Sequence, residues 1–161
     1  MKLYMHQKVF SWKDRFSVFD VEETPIYHVS GELFSWGKKL HVYNLNEEEV
    51  AGVNEKVMTL LPKFSVLVRG EEIAEIVKEF TLFRPSYAIR GINWKIKGDY
   101  FAHDYKITDG NRTVAAIHKK WLSFGDVYEV DIADEEEELY ALAVVLAIDT
   151  VLAASETAAL V

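Results

Sequence analysis

The chain has 161 residues, half of them hydrophobic, and a formal net charge of −8 at pH 7. This length predicts a single domain with a sizeable core, and the lack of cysteine excludes disulfides, thiolate metal sites and cysteine nucleophiles. From the lack of cysteine we expect a reducing, cytoplasmic environment, and the N-terminus shows no apolar signal-peptide core. The isoelectric point near 5.1 argues against nucleic acid as a partner.

The acidic residues are unevenly distributed along the chain. Six of the 26 lie within residues 131–138, which leaves 20 acids against 18 bases elsewhere. Because this remainder is nearly neutral, it can carry a local basic patch. The net charge therefore does not exclude an anionic partner.

Short segments of alternating polar and apolar residues fill the chain up to about residue 132. Leu40 and Val42, for example, alternate with Lys39 and His41, which is the pattern of a strand with one dry face. Turn sequences such as Asp109-Gly110-Asn111 separate the segments and predict antiparallel hairpins. We predict about eleven strands, over residues 2–8, 15–20, 25–30, 39–44, 50–57, 63–69, 72–80, 86–97 (long enough for two), 100–108, 112–119 and 126–132.

An aromatic motif recurs at three predicted turns. Phe10-Ser11-Trp12 and Phe34-Ser35-Trp36 each precede a strand, and Leu122-Ser123-Phe124, beside Trp121, repeats the pattern more loosely. One interpretation is a repeated hairpin whose aromatic residue covers a barrel end. The other is that Trp12, Trp36 and Trp121 or Phe124 form an aromatic rim for a ligand, a membrane interface or a protein partner.

Two stretches of the chain contain bases and no acid. Within residues 81–97, Lys95 and Lys97 share one strand face, and two cations at positions i and i+2 of a strand can bind one phosphate group. The alternative is that these bases keep the outer face soluble and discourage misplaced strand pairing. The candidate residues for binding an anion or a phospholipid headgroup in the two stretches are Arg84, Arg90, Lys95, Lys97, Lys119 and Lys120.

The last quarter of the chain predicts a helix over about residues 135–154. Asp134 can cap it, and the acidic run up to Glu138 suits the positive end of a helix dipole. Residues 139–148 are apolar on every side, so protein or lipid must enclose them. A membrane span needs about 20 apolar residues, and extending this run would place Asp149 near its middle. We therefore favour enclosure by protein.

Strands with one dry face and a helix without a polar face fit together in one architecture. We predict a roughly twelve-stranded, closed antiparallel barrel that surrounds the helix, with residues 1–161 forming one domain. Closing the sheet also removes its exposed edges.

No catalytic or metal-binding motif is evident, and we predict no metal and no cofactor. The five histidines lie on different predicted strands, without the spacing of a zinc motif. His103 shares the alternation of Phe101, Tyr105 and Ile107, which favours a hydrogen-bonded core histidine over a catalytic base. Asp149 on the enclosed helix requires a partner or a raised pKa. A structural pair is favoured, with a general base or a polar ligand anchor inside the barrel as the alternative.

Residues 6–16 (HQKVFSWKDRF), 29–35 (VSGELFS) and 147–149 (AID) together resemble the LURP-one-related family. That family belongs to the tubby C-terminal-like superfamily, which also contains the phospholipid scramblases. The resemblance spans essentially the whole chain and implies a roughly twelve-stranded barrel around a hydrophobic C-terminal helix. Tubby proteins bind membrane phosphoinositides through basic residues on the barrel surface, and Lys95-Ile96-Lys97 is similar to their lysine-x-arginine arrangement.

The expected function is a non-enzymatic binding or membrane-associated scaffold, with anionic phospholipid as its candidate ligand and the inner membrane face as its candidate location. One alternative is a protein-interaction module that uses the aromatic rim. Another is a small enzyme or lipid-pocket protein that uses Asp149 or His103. A filled barrel interior argues against that last alternative, whereas a polar-anchored pocket beside the helix favours it.

Overall fold

A computed structural model describes residues 1–6, 15–34, 37–122 and 125–159, without the side chains of residues 34, 121, 122, 125, 126 and 156–159. The described residues form twelve strands, one short 3-10 turn and one helix. The strands are β1 Lys2–His6, β2 Arg15–Phe19, β3 Pro25–Phe34, β4 Gly37–Tyr43, β5 Glu49–Glu55, β6 Lys63–Val68, β7 Glu71–Glu79, β8 Ser86–Arg90, β9 Trp94–Asp99, β10 Asp104–Asp109, β11 Arg112–Leu122 and β12 Gly125–Ile132.

All twelve strands belong to one antiparallel sheet, in the order β8-β7-β6-β5-β4-β3-β2-β1-β12-β11-β10-β9. The two edge strands, β8 and β9, are neighbours along the chain and lie against each other without forming a ladder. The sheet is therefore a nearly closed barrel, which confirms the predicted architecture.

The predicted segment 86–97 divides into β8 and β9 at Gly91. This glycine has a φ of +98°, and a Cβ at this position would lie 3.1 Å from the carbonyl oxygen of Ile73. Only glycine fits both the backbone conformation and the space. The two edge strands thus separate at a turn that the sequence specifies.

The helix α1 spans Glu138–Ala159 and follows a 3-10 turn over Glu135–Glu137. Oδ1 of Asp134 accepts a hydrogen bond of 3.0 Å from the backbone N–H of Glu136, so Asp134 caps the 3-10 turn that leads into α1, and α1 itself begins three residues later than predicted. Residues 141–148 are almost completely buried, and α1 packs against β5, β6, β7 and β12. By length and mean hydropathy the segment could also cross a membrane, but here the barrel encloses it.

The barrel has two chemically different ends, because connections between antiparallel strands alternate from one end to the other. We call one the acidic end, formed by residues 20–24, 44–49, 69–72, 91–93, 109–112 and 131–138. It holds 15 of the 26 acids and two of the 18 bases, which leaves 11 acids and 16 bases in the rest of the sequence. The connections 56–62, 80–85 and 100–103 lie at the other end, which we call the apolar end.

The predicted strand 100–108 was placed too early, since β10 begins at Asp104. The preceding residues form a turn in which Oδ1 of Asp99 accepts a hydrogen bond of 2.9 Å from the N–H of Ala102, and His103 has a φ of +53°. The alternation expected through Phe101 is therefore wrong. Phe101 is 47% exposed, whereas Tyr105 is buried.

Candidate functional site

Three lysines lie next to one another on the outer face of β9 and β10. Lys95 and Lys97 are exposed on the same side of β9, as the alternation predicted. Lys106 on β10 is also exposed and lies directly opposite Lys97, while Thr108 lies opposite Lys95. Side chains directly opposite each other in an antiparallel pair have Cβ atoms about 5 Å apart. We call Lys95, Lys97 and Lys106 the basic ladder.

Within the described part of the chain, no carboxylate lies within 4 Å of an ammonium group of the basic ladder. On the other side of Lys106 the neighbouring residue on β11 is Ala116, which is uncharged. The nearby carboxylate of Asp104 is instead bound to Nδ1 of His118, at 2.9 Å. The three ammonium groups are therefore available to an external anion.

The sequence analysis missed Lys106. Its alternation with Tyr105 and Ile107 does place it on the polar face of a strand. Its register against Lys97, however, depends on the hairpin formed by residues 100–103, whose length the sequence did not specify.

The other four candidate bases are dispersed. Arg84 lies in the connection after β7, and Arg90 lies at the far end of β8, opposite Glu75. The five residues of β8 span about 17 Å, so Arg84 and Arg90 do not act on one small ligand. Lys119 and Lys120 are consecutive on β11 and point to opposite faces of the sheet.

Lys120 is engaged in a cluster on the outer face around Glu129. Oε1 of Glu129 lies 3.1 Å from Nζ of Lys120 and 3.3 Å from Nζ of Lys2, and the hydroxyl of Tyr4 donates to Oε2 at 2.9 Å. Burial raises the pKa of Glu129, but the hydrogen bonds from Lys120, Tyr4 and Lys2 outweigh it and hold the pKa below its usual range. Burial and the bond to Glu129 raise the pKa of Tyr4 to about 12.

A second polar cluster lies inside the barrel, toward the apolar end. Oδ1 of Asp149 lies 3.4 Å from Nε2 of His103, and the His103 ring stacks on Tyr128 with a centroid separation of 4.2 Å. Burial raises the pKa of Asp149, and the contact with His103 opposes that rise. Burial and the charge of Asp149 raise the pKa of the Tyr105 hydroxyl well above its usual value.

This arrangement favours a structural role for Asp149. Its side chain is 3% exposed and lies beside core residues of α1, so a substrate would have no direct approach to it. His103 is not the predicted core histidine on a strand but a partly exposed turn residue that covers the carboxylate. The described residues contain no group of three or more histidines and carboxylates that could hold a metal ion.

The predicted aromatic rim lies mostly outside the described residues. Trp12 and Trp36 are outside them, and for Trp121 the backbone in β11 is described but the side chain is not. The aromatic rim stays a prediction.

Comparisons with known proteins agree with this architecture. A family model described as LURP-one-related matches residues 1–149. The chain is 34% identical over 152 residues to the uncharacterized protein YxjI of Bacillus subtilis (strain 168), and the match covers 94% of each chain. A solved structure of a protein from Arabidopsis thaliana superimposes with a TM-score of 0.61 at 13% identity, over 92% of this chain and 90% of the other, which shows the fold alone. The chain belongs to the LURP-one-related family.

Proposed function

We propose that this protein is a non-enzymatic binding barrel that attaches peripherally to membrane surfaces bearing anionic phospholipid headgroups, at the inner membrane face. The observation that carries the proposal is the basic ladder, in which Lys95, Lys97 and Lys106 are exposed side by side without a carboxylate partner among the described residues. Ammonium groups spaced in this way can contact one phosphate group or two adjacent ones.

The charge distribution supports the same proposal. Although the chain is acidic as a whole, most of its carboxylates are at the acidic end. The basic ladder lies on the wall of the barrel, outside that concentration of negative charge. An anionic surface would therefore attract this part of the wall and repel the acidic end.

The expected affinity of the basic ladder alone is low. A lysine near an anionic membrane contributes about 1 kcal/mol, so three lysines contribute about 3 kcal/mol. A millimolar complex already requires about 4 kcal/mol. Stable attachment thus requires a further contribution, or several anionic headgroups gathered at one site.

The direct test is sedimentation with vesicles of phosphatidylcholine and phosphatidylglycerol, at low and at physiological salt. The test variant is Lys95→Glu with Lys97→Glu. The matched control is Lys39→Glu with Arg69→Glu, which makes the same change in net charge beside a depression on the outer face of β4, β5 and β6. We expect salt-sensitive binding that the test variant loses and the control keeps.

Equal loss in both variants would mean that only net charge matters and would reject the basic ladder as a site. No binding of the unaltered protein would reject the lipid proposal. That result would direct attention to a protein partner, for which the aromatic rim of Trp12, Trp36 and Trp121 is the candidate surface.

A further inference from the structure

Two neighbouring loops at the apolar end expose large hydrophobic side chains. In the connection between β5 and β6, Met58 and Leu60 are fully exposed, and in the connection between β7 and β8, Phe83 is 95% exposed. Isolated apolar residues on a surface are ordinary, but a cluster of this size on two loops requires an explanation. The exposed residues of the two loops, which we call the apolar tips, are Val57, Met58, Leu60, Phe80, Leu82 and Phe83.

The two loops are held beside each other by the sheet. Lys63 at the start of β6 lies opposite Val77, and the backbone N–H of Lys78 donates a hydrogen bond of 3.0 Å to the carbonyl oxygen of Pro62. The chain therefore leaves the sheet at adjacent points, and both loops project from the same part of the barrel end. Their side chains form one surface in spite of their separation in the sequence.

The charges around the apolar tips differ from those at the opposite end. Residues 56–63 and 78–85 contain four bases, Lys56, Lys63, Lys78 and Arg84, and one acid, Glu79. Lys56 contacts the carboxylates of Glu72 and Glu75, and Lys63 contacts that of Glu75, which offsets part of their charge. Even so, these loops are net basic, whereas the acidic end carries 15 carboxylates and two bases.

This difference in charge between the two ends of the barrel identifies the kind of partner. An anionic surface repels the acidic end and turns the apolar tips toward itself. Exposed apolar side chains on loops can enter the boundary between headgroups and acyl chains without a matching pocket, which a folded protein partner would have to supply. Apolar side chains next to bases are the composition that binds anionic bilayers at their interface.

We propose that the apolar tips insert into the headgroup and acyl boundary of an anionic bilayer, with the acidic end facing away from it. The inference rests on the proposed function and adds to it the orientation of the barrel and the apolar contribution that the basic ladder lacks. Lys97 and Lys106 lie in the halves of β9 and β10 that are nearer the apolar end. These two lysines can therefore contact headgroups of the same bilayer into which the apolar tips insert.

The lack of cysteine allows each site to be labelled singly. Met58→Cys and Phe83→Cys would carry an environment-sensitive fluorophore on the apolar tips, and Val21→Cys, at an exposed apolar position in the acidic end, is the matched control. The labelled proteins are mixed with vesicles of phosphatidylcholine and phosphatidylglycerol, with and without lipids that carry a quencher in the acyl chain.

We expect a blue shift and quenching for the labels at positions 58 and 83 and neither effect at position 21. If the protein sediments with the vesicles but no label responds, insertion is wrong and the proposed function stands. If the protein does not sediment, both fail. A response at positions 58 and 83 that needs no vesicles and grows with protein concentration would identify a second copy of the chain as the partner and overturn the inference.

A substitution test gives a second readout. Because the apolar tips are exposed, Leu60→Ser with Phe83→Ser should leave the melting temperature unchanged. We expect it to weaken vesicle binding about tenfold or more, with the loss persisting at high salt, where the basic ladder is screened. Unchanged binding at high salt would contradict insertion.

Discussion

Nε2 of His103, in the turn between β9 and β10, lies 3.4 Å from Oδ1 of Asp149, on the enclosed helix. The contact joins the C-terminal half of α1 to the turn before β10. It brings a partly exposed imidazole to a carboxylate that is 3% exposed. The contact therefore places an imidazole beside a carboxylate that burial would otherwise leave without an ionic partner.

The first prediction concerns the pH dependence that Asp149 contributes. Since burial raises its pKa above the usual 3.8, the folded state binds this proton more tightly than the unfolded state. The stability that Asp149 contributes is therefore greatest at pH 3.8 and below, and it declines as pH rises through the folded-state pKa. We expect Asp149→Asn to lack this decline and to be at least as stable as the unaltered protein at pH 8, in urea unfolding followed across pH.

A matched control exists on the surface, where Asp104 contacts His118 at 2.9 Å but is mostly exposed. Asp104→Asn should leave the pH profile unchanged. If Asp149→Asn reproduces the unaltered pH profile, or unfolds the protein at neutral pH, the assignment of Asp149 as a buried carboxylate that burial destabilises is wrong.

The second prediction is for His103. His103→Asn keeps a residue that tolerates the left-handed backbone at φ +53° but removes the imidazole beside Asp149. We expect a loss of about 1 to 3 kcal/mol at pH 7, and a smaller loss at low pH, where Asp149 is neutral. A loss that is the same at both pH values would indicate a packing role against Tyr128 instead.

The third prediction concerns Glu129, whose contribution to stability changes with pH in the opposite direction to that of Asp149. Because hydrogen bonds from Lys120, Tyr4 and Lys2 outweigh burial and lower its pKa below 4.5, its contribution is present above that pH and is lost as pH falls through the folded-state pKa. Glu129→Gln should lower the unfolding free energy by about 1 to 3 kcal/mol at pH 7. The difference from the unaltered protein should shrink in acid, and a constant difference would contradict the prediction.

The fourth prediction tests the enclosure of the helix. Leu146 is fully buried, whereas Tyr140 on the same helix is 39% exposed. Leu146→Ala should cost about 2 to 5 kcal/mol, and Tyr140→Ala distinctly less, by chemical denaturation. Truncation after Asp134 should leave no folded protein. A soluble, cooperatively melting fragment of residues 1–134 would show that the barrel does not need the helix.

The fifth prediction follows from the register between β9 and β10. Since Lys106 lies opposite Lys97, Lys106→Glu should weaken vesicle binding as much as Lys95→Glu does, although the two positions are distant in the sequence. Lys39→Glu is the control of equal charge. If Lys106→Glu binds vesicles as well as Lys39→Glu does, Lys106 is not part of the binding site.

Local patterns were sufficient to predict the barrel and the helix. Turn sequences such as Asp109-Gly110-Asn111 marked the hairpins, and Asp134 marked the helix start, because both depend on residues close together in the chain. The enclosure of α1 followed from the lack of any polar face over residues 139–148, which allows few alternatives.

The candidate sites depended on relationships that local patterns do not specify. Alternation predicts which face of a strand a lysine occupies but not which residue lies opposite it, so the pairing of Lys97 with Lys106 was not predictable. The partner of Asp149 required the path of the helix through the barrel. The exposure of Met58 and Phe83 was also not predictable, because an apolar residue in a connection can lie against the core or in solvent.

The most direct test of the proposed function is a titration of the unaltered protein with vesicles in which phosphatidylglycerol progressively replaces phosphatidylcholine. The proposal predicts an affinity that rises steeply with the anionic fraction and falls as salt is added. An affinity independent of the anionic fraction, or no binding at any fraction, would contradict it.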